Sequence, residues 1–193
     1  MGYLSCSKEW AVQQGNPDVW REWWLNPDAV HYYVHGKDNI PFHTIIWPAM
    51  LMALGLHLPD RIVSSEYLTM GDKKFSKGEG VGILLPDMVK NFDPDTIRFF
   101  LVLQGPETSD SAFDWQDFQQ RVNGDLIDNL ANLWNRVYSM ASRYFNGVPN
   151  YEARDQESRD LQAAGRRAFD SVGIAIAGLQ FRTALRQILE LSS

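Results

Sequence analysis

The chain has 193 residues, of which 45% are hydrophobic and 22% are charged, a composition typical of a soluble globular protein that can bury an apolar core. Its formal net charge of −6 argues against an indiscriminate nucleic-acid binder, although it permits a local surface that faces RNA. The apolar runs are too short to span a membrane, and no leader is evident. Because a single cysteine, Cys6, excludes an internal disulfide, we expect a cytoplasmic protein in which Cys6 is a small, partly buried residue.

The first 60 residues carry alternating signals for helix and strand. We expect residues 1–7 to be loop-like or strand-like, and a helix to begin near Asn16, which is followed by Pro and Asp. Residues 30–36 form a nearly continuous aromatic and β-branched run that ends in glycine, which predicts a buried parallel strand. Pro41 then opens a helix that Gly55 closes.

A second strand is predicted over residues 61–68, where apolar and polar residues alternate. A strand, a helix and a second strand with short connections form a right-handed crossover unit of a doubly wound parallel sheet. Ligands of such sheets bind at the carboxyl ends of the strands, where residues 36–39 and 69–82 both fall. The predicted fold class of this part of the chain is therefore α/β.

A stretch of Gly, Pro, Thr, Ser and Asp over residues 105–111 is typical of a linker. We therefore predict two domains, residues 1–104 and residues 105–193.

Three aspartates are predicted to cap helices along the chain: Asp93, Asp114 and Asp155.

The part after the linker is predicted to be an all-α helix bundle. We expect Asn123-Gly124 to break a first helix and residues 125–145 to form the next one. The apolar residues of this second helix recur at three- and four-residue steps, which predicts a buried face. These residues are Leu126, Leu130, Leu133, Val137, Met140 and Tyr144.

A carboxylate and a histidine follow the first predicted strand. Asp38 lies just beyond Gly36 at a helix start, where it could accept hydrogen bonds from ribose hydroxyls or simply act as a favourable charge at the helix N-terminus. His43 lies about one turn into the helix and faces the same crevice. By itself, His43 is explained as well by packing in the core.

Lysines cluster after the second strand, and three glycines at alternate positions follow them. Ammonium groups on a flexible loop can bind a polyphosphate, and such a loop can close over the anion. The spacing is not that of a Walker loop, and the segment could equally be a solvated basic hairpin tip. The residues are Lys73, Lys74 and Lys77, followed by Gly78, Gly80 and Gly82.

Two polar residues, Asn132 and Arg136, lie one turn apart on the polar face of the predicted helix over residues 125–145. Amide and guanidinium groups can hydrogen-bond to splayed RNA bases and stack on them. An ordinary solvated stripe explains the same spacing.

Four segments resemble the methionyl-tRNA synthetases, a family of class I aminoacyl-tRNA synthetases. Residues 74–78, Lys-Phe-Ser-Lys-Gly, resemble the Lys-Met-Ser-Lys-Ser signature, with Phe in place of Met and Gly in place of the last Ser. Residues 36–43 are similar to the Gly-Lys-Asp-x-x-x-x-His segment, and Gly2-Tyr3 resembles the end of Ala-Pro-x-Gly-Tyr. Residues 132–136 are similar to the anticodon-reading segment, although Asp128 stands where many relatives have Asn.

The resemblance extends over residues 2–190 and implies the second half of a Rossmann-type catalytic domain followed by part of an anticodon-binding bundle. It implies that Lys77 neutralises the triphosphate while the methionine carboxylate attacks the α-phosphorus. The other implied site residues are Lys74 and Ser76, which support the loop, then Gly36, Asp38, Asn39, His43 and Tyr3, which bind the ATP ribose and methionine, and Asn132 and Arg136, which read the anticodon.

The substrates that the resemblance implies are methionine, ATP with its associated Mg²⁺, and methionine-specific tRNA. The His-Ile-Gly-His signature and a cysteine-bearing zinc insertion are absent from the sequence, so we expect no metal site in the chain and no activity of the chain alone. A partner chain that carries the amino-terminal half would make this one subunit of a split synthetase. A catalytically silent tRNA-binding module and an unrelated nucleotide-binding domain are the alternatives.

Overall fold

The computed structural model describes residues 2–71, 73–75, 80–150, 152 and 154–193. The chain divides into two compact units, Met1–Ser65 and Glu66–Ser193. This division falls at a different place from the boundary predicted after residue 104, and the functional domains placed on either side of residue 104 stay a prediction.

The first unit is built around a pair of parallel strands. Its elements are α1 (Gly2–Gln13), α2 (Arg21–Trp24), β1 (Tyr32–Gly36), a 3₁₀ turn (Lys37–Asn39), a π-helix (Phe42–Ile46), α3 (Trp47–Leu54) and β2 (Arg61–Ser65). In the parallel register, Tyr32 lies opposite Arg61 and Gly36 lies opposite Ser65. Gly55 ends α3 in the left-handed conformation, with φ of 64°. The predicted strand–helix–strand unit is therefore confirmed.

Three expectations for the first unit are wrong. Residues 1–7 belong mostly to a helix, α1, whose Leu4 and Ala11 are buried seven residues apart on one face. Cys6 lies on the other side of this helix and is exposed. The region after Asn16 forms turns, and α2 begins only at Arg21.

The core of the first unit covers one face of β1. The buried residues are Leu4, Trp24, Tyr33, Trp47 and Leu51. Tyr33 points into this cluster, whereas its neighbour Val34 is 65% exposed. Because side chains alternate along a strand, the expected burial of both faces of β1 is wrong for the residues that the structure describes.

A carboxylate ties together the segments that precede β1 and β2. One oxygen of Asp60 accepts a hydrogen bond from the backbone N–H of His31 (2.7 Å) and another from Nε2 of His57 (2.8 Å). These bonds, that of His31 foremost, lower the pKa of Asp60 below its usual value. Nε2 of His31 in turn donates to the carbonyl oxygen of Trp23, at 2.7 Å.

The second unit combines a small mixed sheet with helices. Its elements are β3 (Leu68–Met70), β4 (Lys73–Lys74), α4 (Leu85–Asn91), α5 (Pro94–Leu103), β5 (Ser111–Phe113), α6 (Trp115–Arg121), a π-helix (Val122–Ala131), α7 (Asn132–Phe145), α8 (Gln156–Ala177) and α9 (Phe181–Ser192). In the sheet, β3 pairs antiparallel with β4 and parallel with β5. The predicted strand over residues 61–68 is therefore two strands in different sheets, and β5 begins at the end of the predicted linker.

The three predicted aspartate caps are confirmed. The side chain of Asp93 accepts from the backbone N–H of Asp95, and Asp114 and Asp155 act in the same way on the N–H groups of Asp117 and Ser158.

The predicted break at Gly124 is wrong, because α6, the π-helix and α7 follow one another without interruption. A glycine inside a helix costs about 1 kcal/mol relative to alanine. Val122 and Leu126, on either side of it, pack in the core and oppose that cost.

The core of the second unit is rich in phenylalanine. It contains Met88, Ile97, Phe100, Phe113, Phe118 and Val122. Helix α9 packs against α5 and α8, and the carboxylate of Glu107 accepts from the backbone N–H of Arg182 in its first turn, at 2.8 Å. No helix in the described part of the chain is long and apolar enough to cross a membrane.

Candidate functional site

The candidate site of the first unit begins where β1 ends. Gly36 is in extended conformation and leads into the 3₁₀ turn Lys37–Asn39. Asp38 and Asn39 are exposed in this turn, and a Cβ atom added to Gly36 would meet no atom within 4 Å. The carboxyl end of the strand is thus open, as expected for the edge at which parallel sheets bind ligands.

His43 is the buried polar residue beside this edge. It lies in the π-helix and is only 9% exposed. Its Nδ1 donates to the backbone carbonyl oxygen of Asn39 (3.0 Å), and its Nε2 lies 2.9 Å from the hydroxyl of Tyr3. Because a carbonyl oxygen can only accept, the neutral ring carries its proton on Nδ1, and Nε2 accepts the proton of the Tyr3 hydroxyl.

Helix α1 brings Tyr3 to this histidine. The ring of Tyr3 lies 5.6 Å from that of Tyr33 and 5.8 Å from that of Trp47, in edge-to-face contacts. Tyr3 is nevertheless 51% exposed. Tyr3, Asn39 and His43 are therefore together in the structure, whereas the sequence alone linked Tyr3 to His43 only through the resemblance.

The phenol of Tyr33 forms the inner wall of the cluster. Burial raises the pKa of Tyr33 above its ordinary value. The indole N–H of Trp47 lies on the side that would lower the pKa of Tyr33. Because this buried N–H group makes no hydrogen bond of good geometry, burial is the stronger effect. Tyr33 therefore stays protonated and neutral at physiological pH.

An open, mainly apolar pocket of about 450 Å³ adjoins Tyr3 and His43. It is lined by Gly2, Tyr3, Cys6, Phe42, His43, Ile46, Trp47 and Met50. A pocket of this lining suits a small apolar side chain, and the hydrogen-bonded Tyr3–His43 pair gives it one polar wall.

The lysine segment follows β3. Lys74 lies in β4, which pairs with β3 in a hairpin, and its side chain falls outside the described part of the chain. Ser76 and Lys77 also fall outside the described residues. Gly82 has φ of 144°, a conformation that favours glycine, and an added Cβ atom would lie 2.7 Å from the ring of Phe75.

Helix α7 carries Asn132 and Arg136, and both are exposed. The predicted apolar face is partly buried at its start, where Leu126 packs against the core and Leu130 is half-buried. The prediction is wrong for α7 itself, in which no residue is buried. Val137 is 56% exposed and Tyr144 69% exposed. Asn132 and Arg136 are therefore accessible on one helix. They were expected to face outward because the opposite face of the helix would be buried, and in α7 that face is exposed as well.

No group of three or more His, Cys, Asp or Glu side chains within the described residues could hold a metal ion.

One residue beside the candidate site was not predicted from the sequence. This residue is His35, whose ring stacks on that of His43 at 4.3 Å. The alternation of side chains along β1 places His35 on the same face as Tyr33, and that spacing was the available signal.

Comparisons with known proteins identify the class. The sequence profile described as tRNA synthetases class I (M) matches residues 1–138. Because this is more than half of the chain, the chain belongs to the class I tRNA synthetase (M) family. The predicted family is therefore confirmed, and the alternative of an unrelated nucleotide-binding domain is wrong.

Individual relatives are more specific. The chain is 41% identical to the methionine–tRNA ligase of Corynebacterium jeikeium over 208 residues, covering 100% of the chain and 34% of the relative. It is 40% identical to that of Chloroflexus aggregans, with 100% and 35% covered. The chain thus spans about a third of the length of these curated relatives.

A solved structure of similar fold is the methionyl-tRNA synthetase of Mycobacterium tuberculosis in complex with methionyl-adenylate. Its TM-score to the chain is 0.75 at 28% identity, over 86% of the chain and 32% of that protein. The ligand-free form of the same synthetase gives a TM-score of 0.74 at 26% identity. The predicted fold class, α/β followed by helices, is confirmed.

Proposed function

We propose that the chain is part of a methionine–tRNA ligase, which uses ATP to join methionine to tRNA. The observation that carries the proposal is the hydrogen-bonded series Tyr3–His43–Asn39 at the carboxyl end of β1, in a chain whose curated relatives are named methionine–tRNA ligases. The M. tuberculosis neighbour holds methionyl-adenylate, which joins the amino-acid and nucleotide parts that such a site would bind.

The methionine side chain would occupy the apolar pocket beside Tyr3 and His43. A thioether is flexible and polarizable and makes favourable contacts with aromatic rings, which this pocket supplies through Tyr3 and Trp47. The buried His43 would keep the Tyr3 hydroxyl in a fixed position at the edge of the pocket.

The ATP ribose would lie over Gly36, with Asp38 and Asn39 as its polar partners. The open space above Gly36 leaves room for the sugar, and an exposed carboxylate such as that of Asp38 can accept hydrogen bonds from both ribose hydroxyls. Mg²⁺ would arrive with the ATP phosphates rather than in a site built by the protein.

The chemistry that we propose has two steps. The methionine carboxylate attacks the α-phosphorus of ATP and pyrophosphate leaves, after which a ribose hydroxyl of tRNA attacks the methionyl carbonyl and AMP leaves. Lys77 would neutralise the triphosphate in the first step, with Lys74 and Ser76 supporting the loop. The contact between Phe75 and Gly82 would help to hold the loop ends together.

The tRNA anticodon would meet Asn132 and Arg136 on α7, whose exposure leaves both side chains accessible. In this proposal residues 1–104 belong to the catalytic domain and residues 105–193 to the anticodon-binding bundle. A chain or segment with the His-Ile-Gly-His half would complete the enzyme, and we place the protein in the cytoplasm.

Methionine binding tests the proposal at its central observation. In an NMR titration of the chain, methionine should bind more tightly than alanine, because only methionine fills the apolar pocket. Tyr3→Phe removes one neutral hydrogen bond and should weaken methionine binding about 2- to 13-fold. Tyr144→Phe, at an exposed tyrosine of α7, is the matched control. Equal binding of methionine and alanine, or equal effects of the two variants, would contradict the proposal.

The tRNA part is tested with a methionine anticodon stem-loop at low salt. If Arg136 contacts base edges, Arg136→Ala should weaken binding by about 1–3 kcal/mol and reduce discrimination against an altered anticodon. Contact with phosphate alone would weaken binding to every sequence similarly and reduce its salt dependence. Arg166→Ala, at an exposed arginine of α8, controls for the lost charge. Equal binding of matched and altered stem-loops, with no effect of Arg136→Ala, would refute anticodon reading.

A catalytically silent tRNA-binding module is the second candidate, favoured by the exposure of Asn132 and Arg136. It predicts that stem-loop binding persists while no chain carrying the His-Ile-Gly-His half restores aminoacylation.

A further inference from the structure

His35, the last side chain of β1, contacts a residue of the proposed site but has no role in it so far. Its ring stacks on that of His43 with centroids 4.3 Å apart and planes inclined by 24°. The other rings against His43, those of Tyr3 and Tyr33, are both 5.9 Å away and tilted. His35 is therefore the ring that lies flat against the face of His43.

The orientation of His35 is itself fixed. Its Nδ1 donates to the backbone carbonyl oxygen of Gly36, at 3.0 Å, so the neutral ring carries its proton on Nδ1. The other nitrogen, Nε2, is buried and has no hydrogen-bond partner among the described residues. A buried acceptor without a donor costs free energy, so an apolar ring would fill the same space more favourably.

The stacked ring of His35 limits movement of the His43 ring out of its own plane, a movement that the hydrogen bonds of His43 restrain only weakly. The bonds to Asn39 and Tyr3 act in the plane of the imidazole, and they restrain rotation of the ring about its Cβ–Cγ bond less firmly, because a hydrogen bond tolerates moderate bending. A flat neighbour on one face blocks that rotation. We propose that His35 is a positioning residue of the candidate site, which acts by holding the ring of His43 so that its Nε2 receives the Tyr3 hydroxyl.

This inference rests on the proposed function, since His43 and Tyr3 matter as the wall of a methionine pocket. It predicts that the aromatic face of residue 35 is the necessary feature and that its nitrogens are dispensable. His35→Phe keeps a flat ring on His43, whereas His35→Ala removes it.

The chain contains four histidines, so ¹⁵N-histidine NMR can follow each ring. In the unsubstituted chain we expect His43 to show a protonated Nδ1 and a hydrogen-bonded acceptor at Nε2, and Tyr3→Phe should remove the Nε2 signature. His35→Ala should do the same and weaken methionine binding about 2- to 13-fold, while His35→Phe should retain both properties. Unchanged signals of His31 and His57, which precede the two strands, would show that each variant is folded.

Two results would overturn the proposal. The first is an unchanged His43 spectrum in His35→Ala. The second is loss of the His43 signature in His35→Phe as well, which would mean that a nitrogen of His35 rather than its face is required. Failure of the unsubstituted chain to bind methionine would count against the proposed function instead, and the histidine spectra would still decide the role of His35.

Discussion

Phe100 offers a quantitative test of the core of the second unit. Its side chain is fully buried on α5, and its ring makes edge-to-face contacts with Phe113 at 5.5 Å and Phe118 at 5.0 Å. Truncation of a buried phenylalanine to alanine costs about 3–5 kcal/mol. Two aromatic partners, each worth about 0.5–1.5 kcal/mol beyond area burial, place Phe100→Ala toward the upper end of that range.

Such a loss is large beside the roughly 5–15 kcal/mol that stabilises a folded domain. With a slope of about 2 kcal/mol per molar urea, we expect the unfolding midpoint to fall by about 2 M, measured by circular dichroism in urea. Phe100→Leu keeps most of the volume and should cost less than about 1.5 kcal/mol. Leu101→Ala, on the same helix but 41% exposed, should stay within about 0.5 kcal/mol.

Leu101→Ala serves as the control for Phe100→Ala, because both residues lie on α5 and only Phe100 is buried. A loss below about 1 kcal/mol for Phe100→Ala, or an equal loss for Leu101→Ala, would refute the assignment of Phe100 to the centre of this core.

Three further predictions concern charge, activity and surface. The pKa of Asp60 is lowered by the N–H of His31 and by His57, so its stabilising effect is complete above the unfolded value of about 3.9 and is lost as the pH falls through the folded pKa. Asp60→Asn should therefore destabilise the chain at pH 7 in thermal melts, and this destabilisation should shrink as the pH is lowered, whereas Asp28→Asn, at an exposed carboxylate, should have little effect at either pH. Methionine-dependent pyrophosphate exchange by the chain alone should be at background, and exchange that Lys77→Ala abolishes would contradict this. The exposed apolar side chains of the first unit should cause self-association or binding of a hydrophobic dye, which a monodisperse, dye-free monomer in sedimentation would disprove.

The features that local chemistry controls were predictable. The aspartate caps depend on one side chain and the N–H groups of the next turn. The left-handed end of α3 depends on Gly55 alone. Each of these contacts spans only a few residues, so the sequence contains the whole cause.

The candidate site was predictable only in part, because its contacts join distant residues. Tyr3 and His43 are 40 positions apart, and the helix that presents Tyr3 is stabilised by burial of Leu4 and Ala11. The stacking of His35 on His43 requires the crossover to return at one particular angle, which no local pattern specifies. The resemblance supplied the Tyr3–His43 pair, but it did not supply His35.

The helix α7 shows a further limit of periodicity. Apolar residues at three- and four-residue steps indicate that a helix has two unlike faces, but they do not indicate whether anything covers the apolar one. In this chain Val137 and Tyr144 on the apolar face are exposed, as are Asn132 and Arg136 on the polar face. Nearly every residue of α7 is exposed, so exposure alone does not single out Asn132 and Arg136. Only a loss of anticodon discrimination in Arg136→Ala can assign them to RNA reading.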